Sequence, residues 1–129
     1  MKAFLDTSAA AKLLHVEAET TAMVEFADRR DVDLVGSILL ETELRRTAIR
    51  RSLNQSDVSA LLDGISLYPF EDTDFLLAGL MPGENLRSLD ALHVQCALSI
   101  GADCMVTYDA RMVDACDQVG LLSIQPGMA

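Results

Sequence analysis

Four acids, Asp6, Glu43, Asp90 and Asp109, stand out among the twenty of this 129-residue chain because each falls where a small α/β domain gathers its functional groups. Asp6 ends the apolar run Ala3-Phe4-Leu5, and Asp109 follows the apolar stretch Cys104-Met105-Val106-Thr107. Asp90 lies in the first turn of a helix at the margin of its apolar stripe, and Glu43 borders the Leu40/Leu44/Ala48 stripe of another. Taken singly, each has a plain structural role as a helix N-cap, a first-turn acid favoured by the helix dipole, or an i,i+3 partner of Arg46. Together they could do more. Mg²⁺ and Mn²⁺ take hard oxygen ligands and are commonly held by a few carboxylates, with positions left for water and a substrate phosphate. Clustered carboxylates without a cation raise one another's pKa, so such a cluster makes sense chiefly around a metal. A divalent ion there could activate water and neutralise charge building on a phosphate, so phosphodiester hydrolysis is the chemistry to expect.

Those acids need a scaffold, and the hydrophobic pattern supplies strands alternating with helices. Short strands are expected over residues 3–5, 33–36, 65–68, 104–107 and 121–124, and helices over 9–14, 20–30, 37–51, 56–63, 72–80, 88–100 and 109–117. Asp6-Thr7-Ser8 would cap the first helix and Ser88 the sixth, whose stripe would be Leu89, Leu92, Cys96, Ala97 and Ile100. Gly101 and Gly120 read as stops. Alternation of this kind implies parallel pairing with right-handed crossovers. The expected fold is therefore one α/β domain over residues 1–129, a short parallel doubly wound sheet flanked by helices on both faces, with ligands beyond the carboxyl ends of the strands.

Half of the residues are apolar, enough for one core without metal or disulfide staples. Cys96, Cys104 and Cys116 are an odd number without CxxC spacing and read as buried, inert thiols. No apolar run approaches a membrane span, and the protein is expected to be soluble, unexported and cytoplasmic. A formal net charge of −10 argues against indiscriminate binding of polyanions. The cations are not spread evenly, however: Arg45, Arg46, Arg50 and Arg51 crowd one segment, either as a solvated face or, for Arg46 and Arg50 on Glu43's stripe, as phosphate ligands. His93 falls on the apolar side of its helix and reads as a buried, hydrogen-bonded histidine outside the site; His15 reads as a surface residue, and Asp114 and Asp117 as exposed acids.

The segments Phe4-Leu5-Asp6-Thr7-Ser8-Ala9, Ser37 through Arg46, Leu86-Arg87-Ser88-Leu89-Asp90-Ala91-Leu92-His93 and Val106-Thr107-Tyr108-Asp109-Ala110-Arg111-Met112 together carry a resemblance over essentially the whole chain. In their order and spacing the sequence resembles the PIN-domain (PilT N-terminal) ribonucleases, and within them the VapC toxins of VapBC toxin–antitoxin systems. The resemblance implies an Mg²⁺- or Mn²⁺-dependent endoribonuclease whose acidic cluster is Asp6, Glu43, Asp90 and Asp109. Asp6 and Asp90 would be direct ligands, Glu43 and Asp109 would complete the pocket or bind through water, and Ser8 and Thr107 would support the acids by hydrogen bonding. It also implies a homodimer, an RNA substrate, and a VapB-type antitoxin that lays its C-terminal segment, with a basic residue, over the acids.

Two rival enzymes or receivers fail at single positions. A phosphotransferase of the haloacid dehalogenase type needs a second acid where this chain has Ser8, and a signalling receiver needs a late strand-end Lys where the last lysine is Lys12. A catalytically silent PIN-like interaction module is the alternative that remains. Helix geometry also separates two neighbouring acids: Glu41 and Glu43 stand about 200° apart around the axis, so Glu43 is expected to face the site and Glu41 to look outward.

Overall fold

The computed structural model describes residues 1–128. Its elements, in chain order, are β1 (Lys2–Leu5), α1 (Thr7–Leu14), α2 (Thr20–Ala27), β2 (Asp33–Ser37), α3 (Leu39–Arg51), α4 (Gln55–Asp63), β3 (Ser66–Tyr68), α5 (Asp72–Gly79), α6 (Ser88–Ser99), β4 (Cys104–Val106), α7 (Ala110–Val119) and β5 (Ser123–Ile124). The strands form one parallel sheet in the order β3-β2-β1-β4-β5. The chain thus builds outward from β1 on one side and then returns to start the other half at β4. The switch point lies between β1 and β4, and in open sheets of this kind ligands bind there, beyond the carboxyl ends of the strands.

Alternation along the strands divides the core between the two faces of the sheet, since successive side chains point opposite ways. Ala3 and Leu5 of β1, with Cys104 and Val106 of β4, pack with Ala9, Met23, Leu40, Leu44, Val58 and Leu62 from α1 to α4. Phe4, Val35 and Met105 face the other way, onto Val94, Cys96 and Ala97 of α6 and Met112, Ala115 and Cys116 of α7. Helices therefore cover both faces, as the strand–helix alternation implies. Leu5 pairs with Val106 across the switch point, which fixes the residues that follow each strand side by side. All three cysteines are free and buried. Burial pushes Cys96 up to about 11 and Cys116 up to about 12, so both stay protonated and unreactive at neutral pH. Among the described residues no helix is long and apolar enough to cross a membrane.

Several element ends differ from the sequence pattern, each for a local reason. Ser37 ends β2 rather than opening α3, because it pairs with Tyr68 of β3 while its buried hydroxyl is tied to His93 of α6. The second helix stops at Ala27, where the run Asp28-Arg29-Arg30 offers no further apolar contact. Ser88 is the first residue of α6, not its cap; Arg87 caps it without a side-chain bond. The last strand shrinks to Ser123–Ile124. Most telling is the phase of α6. Leu89, placed on the apolar stripe by sequence, is 48% exposed, whereas every residue from His93 to Ala97 is buried. A helix covered by the sheet on one side and by α5 and α7 on others has no single polar face, so an amphipathic template misreads it.

This phase is testable. Val94→Ala, which empties a fully buried site, should cost about 2 kcal/mol of unfolding free energy, whereas Leu89→Ala should stay within about 0.5 kcal/mol of the parent. Urea denaturation of the two variants checks this; equal losses would put Leu89 back in the core.

Candidate active site

Asp6 immediately follows β1 and is only 4% exposed. Its extended backbone makes it the N-cap of α1, and its Oδ1 accepts the amide of Ala9 at 3.0 Å. Two hydroxyls complete its shell: Ser8 Oγ donates to Oδ1 at 2.7 Å and Thr107 Oγ1 donates to Oδ2 at 2.5 Å. Each hydroxyl is itself held by a backbone amide from the turn after β4, Tyr108 N on Ser8 Oγ at 2.9 Å and Asp109 N on Thr107 Oγ1 at 3.1 Å. With their oxygens accepting from amides, both hydroxyls spend their protons on Asp6. A carboxylate receiving three donors is favoured in its charged form, but burial outweighs them and holds the Asp6 carboxyl above the usual range.

Glu43 reaches the same end of the sheet from α3, in the layer that also holds α1. Its Oε1 lies 2.5 Å from His93 Nε2, and His93 Nδ1 lies 3.0 Å from Ser37 Oγ at the end of β2. His93 is 1% exposed and meets the Phe4 ring edge-on. Glu41 does the opposite, looking outward to accept a 2.6 Å bond from Arg45 Nε within its own helix. Helix geometry thus separates the two acids as expected, Glu43 toward the strand ends and Glu41 toward solvent.

Asp90, in the first turn of α6, is half-buried. Burial raises its carboxyl above the ordinary value, and the nearby Asp109 and Glu43 carboxylates raise it further, with His93 and, less strongly, Arg87 pulling the other way. Asp109 caps α7 by accepting the amide of Arg111 at 2.9 Å. Asp90 therefore feels both Asp109 and Glu43, while Asp6 is joined to the Asp109 turn through Thr107. Among the described residues neither Asp6, Asp90 nor Asp109 is in an ion pair.

The donor set fits a hard divalent cation: oxygen ligands only, with the charged form of Asp6 disfavoured by burial and that of Asp90 by burial and by the Asp109 and Glu43 carboxylates. Among the described residues no three His, Cys, Asp or Glu side chains form a ready-made metal cage. Oxygen donors suit Mg²⁺ and Mn²⁺, and Mg²⁺ keeps several waters and binds through one or two carboxylates.

The four acids and two hydroxyls singled out from the sequence lie just beyond the carboxyl ends of β1 and β4 and on the early turns of α1, α3 and α6. His93, expected to be buried, hydrogen-bonded and outside the site, is buried, and its bond to Glu43 ties it to one of the candidate acids. The spacing Asp90-x-x-His93 was the available signal, because residues three apart share a helix face. Ser37 was overlooked because it was assigned to a helix. His15 is not a free surface residue: it lies 2.8 Å from Glu17 and 2.6 Å from Arg51, in a cluster that also ties Lys12 to Glu17 and Glu19. Arg45 and Arg51 are likewise structural, Arg45 also bonding Gln55 and Ser59. Asp114 and Asp117 are exposed, as expected.

The PIN domain family model matches residues 3–118. The chain is 34% identical to the ribonuclease VapC47 of Mycobacterium tuberculosis, with 96% of each chain covered. It is 32% identical to ribonuclease VapC35 of the same species, with 98% of each covered. In structure it is similar to M. tuberculosis VapC20, a sarcin-ricin loop cleaving toxin, with a TM-score of 0.75 at 17% identity over 96% of this chain and 99% of that one. It also resembles VapBC2 from Rickettsia felis, bound to a DNA fragment from its promoter, with a TM-score of 0.68 at 16% identity over 96% and 98%. Matched along nearly its full length by the family model and by relatives above 30% identity, the chain belongs to the PIN-domain family as a VapC-type ribonuclease.

Proposed function

We propose that this protein is an Mg²⁺- or Mn²⁺-dependent endoribonuclease, the cytoplasmic toxin of a type II toxin–antitoxin pair, hydrolysing RNA phosphodiester bonds at Asp6, Glu43, Asp90 and Asp109. One observation carries the reading: carboxylates gathered at the β1/β4 switch point, Asp6 and Asp90 both raised by burial, without a compensating lysine or arginine ion pair among the described residues. The ribonuclease names of the relatives and the toxin structures support the substrate class. Asp6 and Asp90 would hold the ion directly, with Glu43 and Asp109 completing the pocket or acting through water. When bound, the ion supplies Lewis-acid activation of water and neutralises charge developing on the phosphate. The protein's own residues do the positioning: Ser8, Thr107 and the Ala9 amide fix Asp6, and the Arg111 amide fixes Asp109.

The net charge of −10 remains to be reconciled with a polyanionic substrate. Arg29, Arg45, Arg51 and Lys12 are committed to acids elsewhere. Arg46, Arg87 and Arg111 are exposed and in no ion pair among the described residues, and each lies within three residues of a site acid, on α3, at the cap of α6 and on α7. A local rim of guanidinium groups around the acids suits backbone phosphates on either side of a scissile bond. The same uncompensated carboxylates suit inhibition by a VapB-type antitoxin carrying an Arg into the pocket, with bidentate bonds to carboxylate, and the active unit would be a homodimer. An antitoxin that co-purifies yet leaves the acids open to Mn²⁺ would contradict this mode of inhibition.

Three measurements test the reading. Purified protein should cleave RNA only with Mg²⁺ or Mn²⁺, and Asp6→Asn should lower the rate by about 100-fold or more, since several kcal/mol of charge stabilisation are removed. Asn still caps α1, and it removes a charge whose raised pKa makes ionisation above the ordinary value of 3.8 a cost to the fold. The metal-free Asp6→Asn protein should therefore melt higher than its parent at neutral pH while losing the parent's stabilisation by Mn²⁺. Metal-independent cleavage would refute the metal-dependent mechanism, and no cleavage of any RNA by a protein that binds Mn²⁺ would leave the silent interaction module as the better account.

Glu43→Gln should reduce cleavage at least about tenfold and weaken Mn²⁺ binding, whereas Glu41→Gln, which only breaks an exposed pair with Arg45, should change either by less than about twofold. The reverse pattern in matched assays would mean that the wrong acid has been assigned.

Binding of single-stranded RNA by the cleavage-blocked Asp90→Asn protein should lose about 0.7 from the slope of log affinity against log salt for each of Arg46→Gln, Arg87→Gln and Arg111→Gln, and nothing for Arg29→Gln. Identical slopes in all four variants would rule out the arginine rim.

A further inference from the structure

For a neutral imidazole beside an ionised Glu43, the hydrogen bonds at the end of β2 leave one consistent assignment of protons. Leu39 N donates to Ser37 Oγ at 3.2 Å, so that oxygen is already accepting and its hydroxyl proton is free for His93 Nδ1, 3.0 Å away. Nδ1 then accepts, the remaining ring proton sits on Nε2, and Nε2 donates to Glu43 Oε1 at 2.5 Å. Every group has a partner. The opposite tautomer would turn Nδ1–H toward Ser37 and a bare Nε2 lone pair toward a carboxylate oxygen, two acceptors in contact in a part-buried place. Leu39 N–H, Ser37 O–H and His93 N–H thus form a directed chain from the start of α3 across the sheet edge and back to Glu43 on the same helix.

We infer that His93 is a positioning residue for Glu43: it holds one rotamer of that carboxylate, and through it sets the strength of divalent-metal binding, with Ser37 fixing the tautomer that allows it. Glu43 stands on α3 in one layer and His93 on α6 in the other, so this bond also sets the distance between the two helices that bring Glu43 and Asp90 together. The imidazole is suited to that task by being fully buried and wedged against Phe4, so it has no alternative rotamer to lose. A glutamate left to itself on an exposed stretch of helix would sample several rotamers, and ordering it at the moment of metal binding would weaken affinity. Side chains that orient ligands in this way are typically worth about 10–100-fold in metal affinity. The inference rests on the metal-site reading above, but its proton assignment does not.

The test combines a spectroscopic signature with a mutant cycle on the full chain. ¹⁵N NMR of the His93 ring in the metal-free protein should report the proton on Nε2 and a bare Nδ1; a proton on Nδ1 overturns the assignment whether or not metal binds. Calorimetric titration with Mn²⁺ should then give about 10–100-fold weaker binding for His93→Leu and at most about threefold weaker binding for His93→Gln, whose amide N–H reaches as far as Nε2. Ser37→Ala should fall between them. In a Glu43→Gln background, His93→Leu should cause no further loss, because the residue acts through that carboxylate. Undiminished Mn²⁺ affinity in His93→Leu, an equal loss in His93→Gln, or a further loss in the Glu43→Gln background would each overturn the inference. If His93→Leu does not fold, Ser37→Ala, His93→Gln and the NMR signature still decide. Absence of Mn²⁺ binding by the parent protein would instead refute the metal site and with it the claimed effect on affinity, leaving the tautomer result to stand alone.

Discussion

A carboxylate 4% exposed at the end of a central strand is the constraint around which this molecule is arranged. Taking Asp6 out of water costs several kcal/mol unless donors replace the lost hydration. The chain supplies them from two directions. The cap of α1 gives the Ala9 amide and the Ser8 hydroxyl, while the turn after β4 gives the Thr107 hydroxyl. The second set exists only because β1 and β4 are neighbours in register, Leu5 against Val106, although about a hundred residues separate them. Parallel order, crossover helices and the switch point thus act together to bring Thr107 to Asp6.

The same device recurs at three strand ends. At β1 and β4 a backbone amide fills the acceptor side of a hydroxyl and turns its proton onto Asp6. At β2 an amide does the same to Ser37, with an imidazole inserted before Glu43. Directed donors of this kind orient an acid and favour its charge without adding a cation. They leave the cluster negative, which is a cost to the metal-free fold and an attraction to a divalent ion. Among the described residues no cation pairs directly with Asp6, Asp90 or Asp109, and several are spent on the α1–α2 connection and the outer side of α3.

The sequence made the strand–helix alternation legible because half of the chain is apolar and each strand is short and bounded by capping residues. Asp6 and Asp109 could be found since a strand end is visible as the point where an apolar run stops. Glu43 could be told from Glu41 because 100° per residue is a strong rule on a helix with one buried stripe. The phase of α6 could not be read, since a helix buried on several sides has no dominant periodicity, and Leu89 was wrongly assigned to its core. Ser37 and the bridging role of His93 were hidden for a different reason. Their partners lie 56 and 50 residues away, and only the packing of two layers at a sheet edge brings them into contact.

Central to this account is that the acids at the β1/β4 switch point share a divalent cation. Anomalous diffraction from crystals grown with Mn²⁺ tests it most directly. The account predicts an anomalous peak in contact with the Asp6 and Asp90 carboxylates, with Glu43 and Asp109 in its outer shell or bound through water. A peak elsewhere on the molecule, or a cluster that stays free of Mn²⁺ while its carboxylates remain in the arrangement described, would contradict it.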